Sequence, residues 1–136
     1  PIHPFVPGCL KGYGRVVDCL LGTGFHGALR EHYRSAIEEI NSSGSYIISV
    51  DINSGMNGDT GEAELAVRSD LTVTIGFVKT GLVSENAGKY TKRLICADIG
   101  IVLVKEEKKI CGSGEPLAPG CLPCPAWLDM NILKVY

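Results

Sequence analysis

The sequence predicts an α/β domain on an open, mostly parallel sheet, and three observations carry that expectation. Short apolar runs rich in β-branched residues each stop at a loop dense in Gly, Asn and Asp, as buried parallel strands do. The clearest helical periodicity lies between the first two of these runs. All seven prolines stand outside residues 15–110, at Pro1, Pro4, Pro7, Pro116, Pro119, Pro123 and Pro125, which leaves the middle free of strand and helix breakers.

Residues 15–21, RVVDCLL, read as a buried strand closed by Gly22. From Leu29 the apolar positions Leu29, Tyr33, Ala36, Ile37 and Ile40 recur at three and four, with Arg30, Glu31, Arg34, Glu38 and Glu39 between them: one face of an amphipathic helix. NSSGS, residues 41–45, ends it with Gly44 as C-cap, and YIISV, residues 46–50, is the next strand. Strand, turn, helix and strand make one βαβ unit with an expected right-handed crossover. DINSGMNGDTG, residues 51–61, is a loop, and AELAVRSD, residues 63–70, is a short helical turn at best. LTVTIG, residues 71–76, and RLICADIGI, residues 93–101, are the last two strands, joined by a glycine-bearing loop. Ligands of such sheets bind beyond the carboxyl ends of the strands.

Two loops at those ends hold chemistry. Gly22, Gly24 and Gly27 form G-x-G-x-x-G between a strand and a helix, and Asp51 ends the next strand, close to where a dinucleotide-binding turn places its ribose acid. A tight turn needed only for packing gives the same glycines. Asp18 stands inside the first strand, where burial of a carboxylate requires a cation or hydrogen-bond donors. The 51–61 loop adds Asp51, Asp59 and the Ser54 hydroxyl to the same edge. Asp51 also suits a simple Asx cap, and a lone exposed His26 is more often inert than functional.

The totals exclude several classes. At 136 residues there is room for one domain, and the charge of -2 without a basic stripe argues against a nucleic-acid partner. No run is long and apolar enough for a membrane span, and no signal-peptide pattern opens the chain, so a cytoplasmic setting is expected. Composition breaks at both ends: residues 1–14 and 111–136 carry the prolines and no periodicity, and both are expected to be either irregular extensions or residues that do not belong to the native reading frame. Cys121 and Cys124 have C-x-x-C spacing with Cys111 upstream, but the context of neither a redox helix nor a second zinc pair accompanies them. Cys19 and Cys96 are expected to be buried free thiols in a reducing compartment.

Five stretches in order carry a resemblance: VVDCLLGTGFHG at 16–27, ISVDINSGMNGDTG at 48–61, SDLTVTIG at 69–76, KTGL at 79–82 and ADIGI at 97–101. Over about residues 15–105 the chain resembles the NAD(P)H-hydrate epimerase family, the YjeF-type N-terminal domain. The resemblance implies a Rossmann-like three-layer α/β/α fold and interconversion of the R and S epimers of hydrated NADH or NADPH (NADHX and NADPHX). It implies a companion ADP- or ATP-dependent dehydratase, as a domain or a separate protein, and a homodimer as a candidate assembly. By position, Asp18 and Ser54 match the family's K+ (potassium) ligands. Gly22, Thr23, Gly24, Phe25, His26, Gly27 and Ala28 match its loop around the nucleotide, and Asp51 matches its substrate-contacting acid and proton carrier. The chain departs from the pattern at Asn53, where the family usually has proline, and at residues 78–81, VKTG in place of PKPG; Gly55 and Gly81 still set both turns. The N-terminal part of the family fold, with its Asn-Asn-Gly-Gly-Asp phosphate loop, has no counterpart in the chain, so weak binding and poor turnover are expected, with an uncovered sheet edge and face. The competing readings are a dehydrogenase-type NAD-binding domain and a catalytically inactive interaction module on the same fold.

Overall fold

A computed structural model of the chain describes residues 2–100 and 132–134. Strands β1 (Arg15–Asp18), β2 (Tyr46–Val50), β3 (Leu71–Ile75) and β4 (Leu94–Asp98) lie side by side in chain order, every pair parallel. A three-residue strand β5 (Ile132–Lys134) extends the sheet at the β4 edge. It is the described part of the C-terminal stretch expected to be irregular, and it fills a ladder that β4 would otherwise leave open. Cys111, Cys121 and Cys124 lie outside the described residues.

Helix α1 (Glu31–Ser42) joins β1 to β2 and buries Ala36, Ile37 and Ile40. Its Ile37 and Ile40 meet Val16 of β1, Ile47 of β2 and Val67, with Leu29 and Leu10 at the margin. Ser43 caps the last turn, its N–H donating to the Ile40 carbonyl at 3.2 Å, and Gly44 follows at φ 71°, the left-handed position that lets the chain turn into β2. Residues 2–14 contain turns and no helix or strand, and the Gly8 and Leu10 N–H groups donate to the Glu39 carboxylate of α1 at 2.8 and 2.9 Å.

Register decides which side chains share a face. Asp18, Ser49, Thr72 and Leu94 are successive partners across the four strands, so they form one row on the face that α1 covers. Residues 52–66 and 82–87 pack on the same face, where Ile52, Met56, Ala66, Leu82, Ala87 and Leu94 form a second apolar cluster. On the opposite face Val17 is 59% and Ile75 38% exposed. The described residues therefore build a sheet with one covered face, the helical layer of an α/β Rossmann-like fold; the third layer is not among them.

Three expectations need correction. The first strand ends at Asp18 and not at Leu21, because the Asp18 carboxylate accepts the Leu20 N–H at 3.2 Å and turns the chain out of the ladder. Cys19 is consequently exposed, and Cys96 is half-buried; what burial Cys19 has, with Asp18 beside it, raises its thiol above the usual range. Residues 63–70 form no helical turn: the Val67 N–H donates to the Ser54 carbonyl and the Val67 carbonyl accepts from Asn53, which commits that backbone to the neighbouring loop.

At the base of the sheet the Asp70 carboxylate accepts the Lys92 ammonium at 2.6 Å and the Ile47 N–H at 2.8 Å. Lys92, and after it that N–H, holds Asp70 below the ordinary carboxylate value of 3.8. A group depressed on folding stabilises the native state above its unfolded value and loses that contribution as pH falls through the folded one. Asp70→Asn should thus flatten the decline in stability below about pH 4. Urea midpoints measured against pH test this, and parallel curves for the two proteins would refute it.

Candidate functional site

The polar row beneath the 51–55 loop is the first part of the site. Asp18 is fully buried and its carboxylate is surrounded by donors. Oδ2 accepts the Ser49 hydroxyl and the Ser54 N–H, both at 2.9 Å, and Oδ1 accepts the Ser54 hydroxyl at 2.5 Å besides Leu20 N–H. Ser54 Oγ in turn accepts the Leu21 N–H at 2.9 Å. The structure brings Asp18 and Ser54 together. Donors alone answer the cost of burying this acid, so its burial does not require a cation.

Asn53 is the second part, and sequence reasoning treated it only as a departure. Its side chain is buried and donates to the Val67 carbonyl at 2.9 Å, the Ser69 hydroxyl at 3.0 Å and the Tyr90 carbonyl at 2.9 Å. Its Oδ1 accepts the hydroxyls of Thr72 at 2.7 Å and Thr91 at 3.0 Å. One amide thereby ties the loop to β3 and to the segments before β3 and β4. Gly55 and Gly81 complete the clamp: a Cβ on Gly55, at φ 93°, would lie 2.3 Å from the Leu65 carbonyl oxygen, and one on Gly81 would lie 2.5 Å from that of Asn57.

Asp51 stands apart from both, at the end of β2. Its backbone is at φ 69°, the left-handed region, where among the described residues it is the one non-glycine. The conformation is held from β3: Asp51 N–H donates to the Val73 carbonyl at 2.7 Å, and Asp51 Oδ1 accepts the Ile75 N–H at 3.0 Å. The carboxylate bonds across to the neighbouring strand and so does not cap its own loop. Lys79, to which sequence reasoning gave no role, pairs with the same Oδ1 and donates to the Ile75 carbonyl at 2.9 Å. Asp51 and Lys79 keep 27% and 21% of their side chains exposed, which leaves them within reach of a ligand. Asp59 is exposed in a turn where its N–H donates to Asn57 Oδ1, and it does not join the others.

The glycine loop lies between two clefts. One, of about 460 Å³, runs between Phe25, His26 and Gly27 on one side and Gly55, Glu62 and Lys89 on the other. The second, about 440 Å³, is lined by Gly22, Gly24, Phe25, His26, Ala28 and Arg30. Thr23 borders Gly58 across the loop. Gly27 has φ 86°, and a Cβ on Gly22, Gly24 or Gly27 would meet nothing within 4 Å. Close packing of helix on strand is therefore not why these glycines are there. Neither cleft is lined by Asp51, Lys79 or Asp18.

Carboxylate, hydroxyl and carbonyl oxygens at Asp18, Ser54 and Leu21 are the hard donors an alkali cation takes, so these residues fit a potassium ion chemically. Among the described residues no group of three or more His, Cys, Asp or Glu side chains converges as a metal site. No helix among them is long and apolar enough to cross a membrane.

The family model for the YjeF-related protein N-terminus matches residues 3–81. A protein named bifunctional NAD(P)H-hydrate repair enzyme from Methanothermobacter thermautotrophicus is 49% identical over 87 residues, covering 63% of this chain and 17% of that protein. An NAD(P)H-hydrate epimerase from Limosilactobacillus fermentum is 37% identical over 93 residues, covering 68% of this chain and 45% of the relative. One from Elusimicrobium minutum is 38% identical over 96 residues, 70% of this chain and 40% of the relative. The chain thus spans less than half the length of these relatives.

Proposed function

Because this chain belongs to the YjeF-related N-terminal family, we propose that it is an NAD(P)H-hydrate epimerase domain, an isomerase of nicotinamide nucleotide repair. The observation that carries the reading is Asp51, a part-exposed carboxylate held in a left-handed backbone at the carboxyl edge of the sheet. Strained, over-determined residues of this kind concentrate at functional sites.

The hydrated nicotinamide carries its hydroxyl on a ring carbon beside nitrogen. Inverting that carbon, by loss and return of water or by ring opening, needs a group that accepts a proton and gives it back. Asp51 supplies it. Gly22, Thr23, Gly24, Phe25, His26, Gly27 and Ala28 form the exposed wall along which the nucleotide lies, where backbone amides without neighbouring side chains can approach phosphate and ribose. Asp18 and Ser54 are the residues that would hold a potassium ion, which would supply positive charge to the anionic nucleotide. The epimer product is consumed by a nucleotide-dependent dehydratase, on the same polypeptide or a separate one. NADHX and NADPHX share the reacting ring, so both are substrates in this reading.

The test is to follow approach to epimeric equilibrium of purified R-enriched NADHX by chromatography, with the full chain in potassium and in sodium buffer. Acceleration above the spontaneous rate, greater in potassium, is expected. A time course that matches buffer alone in both salts would overturn the assignment.

A further inference from the structure

We infer that Lys79 is the positioning residue that turns Asp51 into a one-sided base: it fixes Oδ1 and leaves Oδ2 as the oxygen that exchanges the proton. The role in turnover rests on the epimerase reading; the pinning of Asp51 does not. Both donors recorded on the carboxylate, the Lys79 ammonium and the Ile75 N–H, fall on Oδ1, and among the described residues none falls on Oδ2. Lys79 also donates to the Ile75 carbonyl, so its ammonium bridges the loop residue Asp51 and the last residue of β3. The bridge is anchored on a rigid partner, since Val73 and Ile75 are paired to Ile95 and Ala97 of β4.

Lys79 is itself well placed for this. It stands directly before the 3-10 turn at Thr80–Val83, and Gly81 of that turn donates its N–H to the Gly58 carbonyl at 2.7 Å and touches the 57–61 loop too closely for any side chain. The same short segment therefore locks the loop and delivers the ammonium to Asp51. An ordinary surface ion pair holds neither partner firmly and contributes little. Here the two charges are half-buried, share a strand terminus, and one of them sits in a strained backbone. A carboxylate free to rotate about χ1 and χ2 would present either oxygen to a substrate; one with Oδ1 held on two sides presents Oδ2 in a single direction. Correct orientation of a reacting group is worth orders of magnitude in rate.

Lysine-ammonium NMR of the full chain tests the pinning directly. A through-hydrogen-bond coupling from Lys79 Nζ to the Asp51 side-chain carboxyl carbon is expected, together with a single Asp51 χ1 rotamer. In Lys79→Gln the Asp51 rotamers should average, and Lys79→Arg, which keeps a cationic donor on Oδ1, should restore the single one. Thermal unfolding of the variants confirms that each remains folded. If Asp51 keeps one rotamer in Lys79→Gln, or if the coupling is missing in the unsubstituted chain, the inference falls. In turnover, Lys79→Gln should lower kcat by about 10-fold or more with KM little changed, and Arg should recover most of the loss. A chain with the coupling and the rotamer but without turnover would count against the epimerase reading and leave the pinning intact. Equal kcat for Gln and unsubstituted chain would overturn the role in turnover.

Discussion

Asp51→Asn should reduce the rate that the chain adds to spontaneous epimerisation by about 10²- to 10⁴-fold, the usual contribution of a positioned acid or base. The fold should survive, because an amide oxygen still accepts the Ile75 N–H and the backbone bond from Asp51 N–H to Val73 is untouched. Loss of the charged partner of Lys79 costs no more than about 1 kcal/mol, since both groups retain access to water. The measurement is paired: epimer ratio against time, and a urea unfolding curve for the same preparation. Unchanged turnover with an unchanged curve would remove Asp51 from the chemistry. Alanine is the poorer test, because a residue without a polar side chain loses part of what compensates φ 69°.

The largest effect on stability is expected at Asp18. Asp18→Ala strips four donors of their acceptor: the hydroxyls of Ser49 and Ser54 and the N–H groups of Ser54 and Leu20. Buried donors left unsatisfied cost about 1–3 kcal/mol each, and with partial relaxation the loss should be about 3–5 kcal/mol, a large share of a small domain's stability. Asp18→Asn is a sharper probe. Whichever oxygen becomes NH2, it faces a backbone N–H, Leu20 on one side and Ser54 on the other, so the near-isosteric change should still cost about 1–3 kcal/mol. Denaturant midpoints decide it, and an Asn variant as stable as the parent would mean the carboxylate is not held as described. The same curves recorded in potassium and in sodium at equal ionic strength test the cation. Binding to the native state alone raises stability with concentration, and indistinguishable curves for the unsubstituted chain would remove potassium from this site.

These two acids show why the site was only partly legible. Both were singled out by type and place, Asp18 as a carboxylate in an apolar strand and Asp51 as the acid at the end of the next one. Their partners were not. Ser49 sits inside YIISV and Lys79 stands 28 residues beyond Asp51; nothing in local pattern says that the first faces Asp18 across a strand pair or that the second returns to β3. Asn53 read as a tolerated substitution because its five polar partners come from residues 67–91, a convergence no window of sequence contains. The expected helical turn at 63–70 failed for the same reason, since the Val67 donor and acceptor are taken by the 53–54 loop and the Ser69 and Asp70 N–H groups by the Tyr90 and Ile47 carbonyls.

What the sequence by itself determined is the alternation that makes strands and the helix. β-branched runs fix β2 and β3 to the residue or nearly so, and the three-and-four spacing fixes the buried face of α1, because period is a property of neighbouring residues. The order of motifs likewise determined the family. Tertiary structure alone decided the register that aligns Asp18, Ser49, Thr72 and Leu94 on one face, the early end of β1 that exposes Cys19, and the pairing of Asp51 with Lys79. The end of β1 is set by the Leu20 N–H turning onto an Asp18 carboxylate that Ser49 and Ser54 hold in place, and the other two by hydrogen bonds between residues distant in the chain. Such bonds form only where the sheet has already brought their donors and acceptors within about 3 Å.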